Sequence, residues 1–306
     1  MGHPPIHPFK LDLRARLGNH APAVDSPLSA CGFMTLSVVI LTFNAEASLG
    51  ATLASAALVS DDIHVVDSGS TDSTLAIAER HGAKIVNHPF EDYGRQRNWA
   101  MDNLALKYDW QLHLDADERL SGELSARVNA LRGAFPATID GYYLPRLVHF
   151  MGQPIRHGGM YPIWHLRLFR KGKGRCEDRR YDQHFRVDGP TARIDAPMID
   201  DIRIGLAEWT ARHNRWSDAE VEEILNPRPE GVIAGRLGGD PVEYKRALRG
   251  GYDRAPLFLR AFALFFYRYV LRLGFLDGRA GLIFFVLQTF WFRFLIDAKL
   301  YEKRMK

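Results

Sequence analysis

Cysteine is scarce in this sequence of 306 residues, which contains only Cys31 and Cys176. Because two cysteines cannot form a disulfide framework, we expect a protein of a reducing compartment. Long uncharged apolar runs are also missing, since the run at 280–292 falls short of the roughly 20 residues that a membrane-spanning helix needs. The first 32 residues hold no apolar run long enough for a signal peptide. With 46% hydrophobic and 25% charged residues, the composition excludes a disordered chain, a collagen and a coiled-coil rod.

Two common nucleotide-binding loops are absent as well. The first predicted strand is followed by Thr42-Phe-Asn-Ala-Glu46 instead of Gly-x-Gly-x-x-Gly, which argues against a dinucleotide cofactor. No Gly-Lys-Ser or Gly-Lys-Thr occurs, which excludes a P-loop NTPase. His149, His157 and His165 lack the spacing of a zinc site.

Acidic residues are few near the carboxyl terminus. Residues 243–306 hold five Asp and Glu against 13 Lys and Arg, and residues 255–301 hold 14 of the 35 aromatic residues. A basic, aromatic segment suits a membrane surface or a nucleic acid. Because Arg and Phe alternate so densely, we expect amphipathic helices whose aromatic faces, including Phe262, Phe266, Phe284 and Phe285, bind a membrane. The alternative is an ordinary helical hairpin within the core.

Short apolar strands alternate with helices in the first part of the chain. The predicted strands lie at 36–42, 62–67, 83–87 and 110–115. This alternation predicts right-handed crossovers and an α/β fold with a doubly wound, mainly parallel sheet and helices on both faces. Such sheets bind ligands at the carboxyl ends of their strands. Thr42, Asn44, Asp67 and Asp115 all lie at such ends.

Two of these strand ends have side chains that suggest chemistry. Asp115 and Asp117, one residue apart, can hold a hard divalent cation, which would neutralise a diphosphate. Asp67 precedes a Ser-Gly-Ser-Thr turn. That turn is either a plain helix cap or part of a nucleoside pocket in which Asp67 accepts hydrogen bonds.

Several segments resemble family 2 glycosyltransferases, which have the GT-A fold. The resemblance to the nucleotide-sugar half of the family keeps its order and spacing and lies at 36–44, 67–74, 94–98 and 110–118. Further segments are similar to a branch that includes lipopolysaccharide core glucosyltransferases and colanic-acid-type polysaccharide transferases, and they lie at 167–170, 177–179, 184, 209–214, 275–278 and 290–293.

The resemblance implies an inverting, metal-dependent transfer from a nucleotide sugar, expected to be a UDP-sugar. It implies that Asp115 faces the donor sugar or ribose and that Asp117 binds Mn²⁺ or Mg²⁺. It further implies that Asp67 contacts uracil or ribose and that Arg95 contacts the base or the phosphates. The remaining residues implied to line the nucleotide are Thr42, Asn44 and Glu46.

The general base that an inverting transfer needs is harder to assign. Relatives place carboxylates before a Val-Asp-Gly turn, where this chain has Tyr181-Asp182-Gln183-His184. Gln183 stands where a glutamate is expected, and an amide cannot accept a proton at neutral pH. The candidates are therefore Asp182, then Asp178 and Glu177. A sugar nucleotidyltransferase and a catalytically inactive, membrane-bound scaffold remain as alternatives.

The resemblance also implies partners and a location. We expect a lipid-linked glycan acceptor, an anionic membrane surface and no nucleic acid. The location would be the cytoplasmic face of the bacterial inner membrane, with peripheral or monotopic attachment. The predicted organisation is a disordered tail at 1–34, a GT-A catalytic domain at 35–225 (nucleotide-sugar half 35–120, acceptor half 121–225), a linker at 226–254 and membrane-interface helices at 255–306.

Overall fold

The computed structural model describes residues 36–131, 135–228 and 232–305, and the predicted tail at 1–34 lies outside the described residues. The strands are β1 (Leu36–Thr42), β2 (Asp62–Asp67), β3 (Lys84–Asn87), β4 (Trp110–Asp115), β5 (Glu118–Leu120), β6 (Gly141–Phe150), β7 (Gln153–Pro154), β8 (Ile163–Arg170), β9 (Gly174–Cys176), β10 (Phe185–Val187), β11 (Thr191–Arg193) and β12 (Met198–Ile202). The helices are α1 (Leu49–Ala57), α2 (Thr74–Arg80), α3 (Tyr93–Asn103), α4 (Gly122–Ala130), α5 (Leu206–Leu225), α6 (Pro241–Arg254), α7 (Leu259–Phe266), α8 (Gly278–Phe285) and α9 (Phe292–Met305).

One large sheet forms the centre of the described part of the chain, with the order β3-β2-β1-β4-β8-β6-β12-β5. The strands from β3 to β4 are all parallel. Strand β8 runs antiparallel to both β4 and β6, so β4 and β6 point in the same direction. Strand β12 is parallel to β6. The carboxyl ends of β1, β2, β4, β6 and β12 therefore lie at one edge of the sheet, which we call the carboxyl edge.

Helices cover both faces of this sheet. Every residue of β1 is buried, which explains why the strand shows no polar alternation. On one face Val38 packs in a core with Leu53 of α1 and Leu124 of α4. On the other face Val39 packs with Ala100 of α3. The structure thus confirms the predicted α/β fold with a doubly wound, mainly parallel sheet.

The segment 226–254, predicted to be a linker, contains the helix α6. Pro241 occupies the first turn of this helix. The carboxylate of Asp240 accepts hydrogen bonds from the backbone N–H groups of Val242 and Glu243, and Glu243 in turn accepts one from the Asp240 N–H. This capping box fixes where the helix begins. Its signal lies among glycines and arginines, and our interpretation of the segment as a linker missed it.

The carboxyl-terminal helices pack against α5. Val221 of α5 shares a core with Phe292, Ile296 and Leu300 of α9. Within this packing the buried carboxylate of Asp297 accepts hydrogen bonds from Arg260, at 2.8 Å from Nε. Short π-helical stretches follow α7 and α8.

The last helical segment is a candidate for membrane association. Within the described residues, Gly274–Met305 is long and apolar enough to cross a bilayer, judged by length and composition. The prediction that Phe284 and Phe285 face a membrane is wrong, because they are 2% and 0% exposed beneath Phe150 of the sheet. By contrast, Phe262 and Phe266 are each 54% exposed.

Candidate active site

The loops after β1 and β2 meet at the carboxyl edge and are joined by hydrogen bonds. The backbone N–H of Thr71 donates to Oδ1 of Asn44 at 2.9 Å, and that of Ser73 donates to Oε2 of Glu46 at 3.1 Å. The N–H of Asn44 donates to Oγ of Ser70 at 2.9 Å. Asn44 has a φ of 46°, a left-handed conformation that asparagine tolerates better than most residues. Asn44 and Glu46, two of the three residues predicted to line the nucleotide, therefore shape this pair of loops.

Asp67 is buried at the end of β2 and holds the turn that follows it. Its carboxylate accepts hydrogen bonds from Thr42 Oγ1 (3.0 Å), Gly69 N (2.9 Å), Ser70 N (2.8 Å) and Ser70 Oγ (2.5 Å). An ionised carboxylate has about four lone-pair positions, so these donors nearly satisfy it. The structure brings Thr42 and Asp67 together. Contact of Asp67 with a nucleoside stays a prediction.

Asp115 lies at the end of β4 between two arginines. Its Oδ1 accepts a hydrogen bond from Arg97 at 2.7 Å, and its Oδ2 accepts one from Arg167 at 2.9 Å. Arg167 also donates to Glu118 at 2.6 Å. Although burial opposes ionisation, the two guanidinium groups hold the pKa of Asp115 well below its usual range. Asp115 is therefore ionised and fixed in one orientation, with 30% of its side chain exposed at the carboxyl edge.

The negative charge of Asp117 is compensated by nearby cations much less than that of Asp115. Its side chain is 34% exposed, and Arg212 approaches it only to 3.9 Å. Burial, together with the nearby carboxylates of Asp200 and Asp115, raises the pKa of Asp117 to about 7. Burial likewise raises the pKa of Asp200 to about 6, although Arg146, 3.5 Å away, opposes this. Negative charge thus accumulates at this point of the carboxyl edge.

This accumulation fits a hard divalent cation, which prefers carboxylate oxygens. Asp117 and Asp200 are brought together by the pairing of β5 with β12, in which Glu118 lies opposite Asp200. Within the described residues, no group of three His, Cys, Asp or Glu side chains forms a complete metal site. A cation at Asp117 would therefore need further oxygen ligands from a bound phosphate or from water.

Glu177, one of the three predicted bases, is sealed inside the protein. Its Oε2 accepts hydrogen bonds from Arg246 Nη2 at 2.7 Å and from His184 N at 2.9 Å, and its Oε1 accepts one from Ile233 N at 2.8 Å. Burial opposes ionisation, but the hydrogen bond with His184 and the charge of Arg246 lower the pKa of Glu177 to about 2. With no exposed surface, Glu177 cannot reach an acceptor hydroxyl, and its placement is that of a structural ion pair.

Asp182 belongs to the same cluster of charges. It accepts hydrogen bonds from Lys245 Nζ at 2.7 Å and Arg246 Nη1 at 3.0 Å. Although burial opposes ionisation, Lys245, His184 and Arg246 hold the pKa of Asp182 well below its usual range. Such a carboxylate is a weak proton acceptor. The geometry instead makes Asp182 an anchor for α6.

Asp178 is the most exposed of the three predicted bases. Its Oδ1 accepts a hydrogen bond from Arg228 Nη1 at 2.6 Å, and the same Arg228 atom donates to Asp92 at 2.8 Å. Arg95, which we expected to contact the nucleotide, is exposed beside it, with Nε 3.9 Å from Asp178. The structure thus places Arg95 with Asp178, whereas Arg97, two residues further along α3, contacts Asp115.

Sequence reasoning missed Arg97 and Asp200. Asp200 and Asp201 follow two apolar residues of the strand β12, much as Asp115 ends the apolar strand β4, so the same pattern could have indicated Asp200. The backbone N–H of Asp201 donates to the carbonyl oxygen of Asp117 at 2.9 Å. This contact joins the ends of the two strands across the sheet.

A cavity of about 540 Å³ opens beside this contact, at the carboxyl ends of β6 and β12. Its walls are residues 149–152 and 201–206. The volume lies within the usual range for small-molecule pockets, roughly 300–1,000 Å³. The carboxyl edge therefore has two parts: the loops and carboxylates at β1, β2 and β4, and this cavity.

Comparisons with known sequences agree with this architecture. The sequence profile of "Glycosyl transferase family 2" matches residues 37–141. The lipopolysaccharide core biosynthesis glycosyltransferase LpsC of Rhizobium meliloti is 30% identical over 206 residues, which are 64% of this chain and 75% of LpsC. An uncharacterized glycosyltransferase of Rickettsia conorii is 41% identical over 93 residues, 30% of this chain. This chain spans about a third (32%) of the length of that rickettsial relative.

Fold and sequence similarity together indicate the family of this chain. The chain belongs to glycosyltransferase family 2, given its match to LpsC over three quarters of that relative. Among solved structures, glucosyl-3-phosphoglycerate synthase from Mycobacterium tuberculosis in complex with UDP is 26% identical over 36% of this chain and 43% of that chain, with a TM-score of 0.29. The same enzyme with Mn²⁺, UDP and phosphoglyceric acid is 17% identical over 68% of this chain and 84% of that chain, with a TM-score of 0.41.

Proposed function

We propose that this protein is an inverting, metal-dependent glycosyltransferase that moves a sugar from a UDP-sugar to a lipid-linked glycan, in lipopolysaccharide or exopolysaccharide synthesis. The observation that carries the proposal is the placement of Asp115 and Asp117 at the carboxyl edge of a family 2 fold. The name of LpsC, a lipopolysaccharide core biosynthesis enzyme, supports an acceptor of this kind.

On the donor side, Asp115 faces the donor sugar or ribose. Its two arginines support this role because they keep it ionised and prevent it from rotating. The joined loops after β1 and β2 form the nucleotide pocket, in which Asp67 maintains the turn. The other residues assigned to this pocket are Thr42, Asn44, Glu46 and Arg95.

Asp117 binds Mn²⁺ or Mg²⁺ in this proposal, because its charge is compensated least. When bound, the cation neutralises the diphosphate that leaves. The chain itself keeps Asp117 in place through the hydrogen bond from Asp201 and through strand β5.

Asp200 takes the proton of the acceptor hydroxyl in this proposal. It lies in the middle of β12, next to Asp201 of the cavity wall and near Asp117, and its side chain is 16% exposed. Its pKa near 6 suits a general base better than the lowered pKa of Asp182. Asp178 stays the alternative, since its side chain is 43% exposed beside Arg228 and Arg95.

The proposed location is the cytoplasmic face of the bacterial inner membrane. Exposed apolar side chains in the carboxyl-terminal helices, such as Phe262, Phe266 and Leu271, support contact with a bilayer. Arg272 and Arg279 are exposed in the same region and suit anionic lipids.

A turnover assay tests the proposed function. The full-length protein is incubated with UDP-sugars, Mn²⁺ and membranes that carry truncated lipopolysaccharide core, and products are identified by mass spectrometry. We expect release of UDP and a glycan one sugar longer, both abolished by EDTA. UDP binding without turnover on any acceptor would favour an inactive scaffold. Release of diphosphate from UTP and a sugar 1-phosphate would favour a nucleotidyltransferase. Absence of UDP binding would contradict the proposal.

A further inference from the structure

The cavity at the ends of β6 and β12 has a role that the donor site does not explain. Its walls come from the end of β6 and the turn after it, and from residues 201–206 after β12. Because both strands end at the carboxyl edge, the cavity lies at the same edge of the sheet as Asp115. The hydrogen bond from Asp201 N to Asp117 O makes one wall continuous with the backbone of Asp117.

Arg203 lines the cavity and Arg119 lies behind its wall, so the charged groups at and next to the cavity are more positive than negative. Arg203 and Arg119 share one carboxylate, that of Asp201: Arg203 Nε lies 2.9 Å and Arg119 Nε 3.6 Å from its Oδ2. Two guanidinium groups on one carboxylate leave an unmatched positive charge. The side chain of Arg203 remains 46% exposed, so its guanidinium can still receive an anion.

A neighbouring histidine adds hydrogen-bonding capacity without charge. Burial, assisted by Arg119 and Arg156, lowers the pKa of His149, so its imidazole is neutral at pH 7. Phe150 and Ile202 supply apolar surface in the same cavity, and Met151 is exposed where the chain turns after β6. Apolar surface with a few polar groups and an unmatched arginine suits a sugar that carries an acidic group.

We infer that this cavity is the acceptor subsite and that it selects a sugar bearing a phosphate or a carboxylate, which pairs with Arg203. This inference rests on the proposed function, because the cavity can be an acceptor subsite only if the protein is a glycosyltransferase. The acidic group belongs either to the sugar itself or, as a phosphate, to a lipid carrier, and both present the same oxygen acceptors to the guanidinium.

Binding of small soluble sugars tests this inference. The full-length protein, with UDP and Mn²⁺, is titrated by NMR with glucose, glucose 6-phosphate and glucuronic acid. We expect the two acidic sugars to bind at least tenfold more tightly than glucose. Arg203→Ala should remove most of this preference and Arg203→Lys should retain part of it. The matched control is Arg186→Ala, at an exposed arginine of β10, which should behave as the parent.

Several results would overturn the inference. One is equal affinity for glucose and the acidic sugars, and another is a preference for acidic sugars that persists in Arg203→Ala. A third is inorganic phosphate binding as tightly as glucose 6-phosphate, which would indicate an anion site without sugar recognition. Competition by farnesyl phosphate that depends on Arg203 would support it and assign the phosphate to a lipid carrier. An Arg203-dependent preference without such competition would support it and assign the acidic group to the sugar.

UDP binding separates this inference from the proposed function. Normal UDP binding with no preference for acidic sugars would refute the inference alone. An Arg203-dependent preference in a protein that binds no UDP would refute the proposed function and leave an acidic-sugar site.

Discussion

At the scale of single residues, neighbouring carboxylates of the carboxyl edge have different environments. Asp115 is neutralised by Arg97 and Arg167, while burial and neighbouring carboxylates raise the pKa of Asp117 and of Asp200. Similar residues therefore suit different tasks: one fixed anion for the donor, one ligand for a cation and one proton acceptor. Conservative substitutions can separate these tasks.

Replacing Asp117 by Asn should abolish binding of Mn²⁺ in the presence of UDP and leave the fold intact. The reason is that Asp117 is a third exposed and that, within the described residues, its one ion pair is the 3.9 Å contact with Arg212. Isothermal calorimetry measures Mn²⁺ affinity, and circular dichroism checks folding. The comparison variant is Asp200→Asn, which should keep Mn²⁺ affinity but lose at least a hundredfold in transfer rate. If Asp200→Asn also lost Mn²⁺ affinity, Asp200 would be a metal ligand and not the base.

Replacing Asp67 by Ala should destabilise the protein by about 2–4 kcal/mol. The change removes the hydrogen bonds that the N–H groups of Gly69 and Ser70 donate to a buried carboxylate, and a hydrogen bond to a charged group contributes roughly 1.5–3 kcal/mol. Urea unfolding measures the loss. UDP affinity measured on the folded fraction should also fall, through loss of the turn or of a contact with the base. Unchanged UDP affinity would contradict a role for this turn in the nucleotide pocket.

At the scale of elements, the helix α6 fixes the segment that holds Glu177 and Asp182. Arg246 of α6 pairs with both carboxylates, and the capping box at Asp240 sets the start of the helix. This helix therefore makes the segment 177–184 part of the main body, with Glu177 fully buried and Asp182 held by Lys245 and Arg246.

Asp240→Ala should cost about 1 kcal/mol of stability, within the 0.5–2 kcal/mol range for the loss of an N-cap. We expect the urea midpoint of Asp240→Ala to fall below that of the parent. The matched control is Glu123→Ala. Glu123 forms an exposed i,i+4 pair with Arg127, which contributes less than about 0.5 kcal/mol. Equal effects of the two variants would contradict the capping role.

The carboxyl-terminal helices contain both exposed and buried aromatic residues. The double variant Phe262→Ser/Phe266→Ser should reduce flotation with anionic liposomes several-fold and leave the melting temperature nearly unchanged, because both rings are exposed. Phe285→Ala should instead destabilise the protein by about 3–5 kcal/mol, because the ring is fully buried. If the serine variant floated like the parent, the exposed rings would not be the membrane contact.

At the scale of the whole molecule, the sequence predicted the parts of the fold that depend on local patterns. The strands of the nucleotide half follow from apolar runs that end in polar residues, as at Thr42, Asp67 and Asp115. The order of the later strands could not be predicted in this way, since β8 inserts between β4 and β6 through contacts distant in sequence.

The candidate site shows the same limit. The positions of Asp115 and Asp117 follow from a strand end, but the partners Arg97, Arg167 and Asp200 depend on tertiary packing. Likewise, periodicity cannot distinguish Phe284 from Phe266, because only the position of the sheet determines which of them is covered.

The stability that two buried histidines contribute should fall as the pH drops below about 6.5. Burial lowers the pKa of His213 to about 4 and of His113 to about 3, whereas both titrate near 6.5 when unfolded. Between these values the unfolded state binds more protons, so stability rises with pH. Glu177 has a pKa of about 2 in the folded protein, so its contribution to stability is lost as the pH falls below about 4.5.

The raised pKa values of Asp117 and Asp200 act in the opposite direction to the two histidines over the same range, so the histidine contribution is measured as a difference. Urea unfolding of the parent and of His213→Gln is compared at pH 7.5, 6.0 and 5.0, and the free energy of unfolding of the parent minus that of the variant should fall as the pH drops. A difference that stays constant over this range would contradict the neutral, buried state of His213.

The pairing of β5 with β12 has a consequence for how the protein is made. Asp117 directly precedes β5, and β5 gains its sheet partner only from residues 198–200, far downstream. A nascent chain that has emerged from the ribosome only through α4 therefore holds β1 to β4 but cannot yet fix Asp117. Because long-range pairings form late in folding, the donor half should remain unable to bind a cation until translation has passed β12.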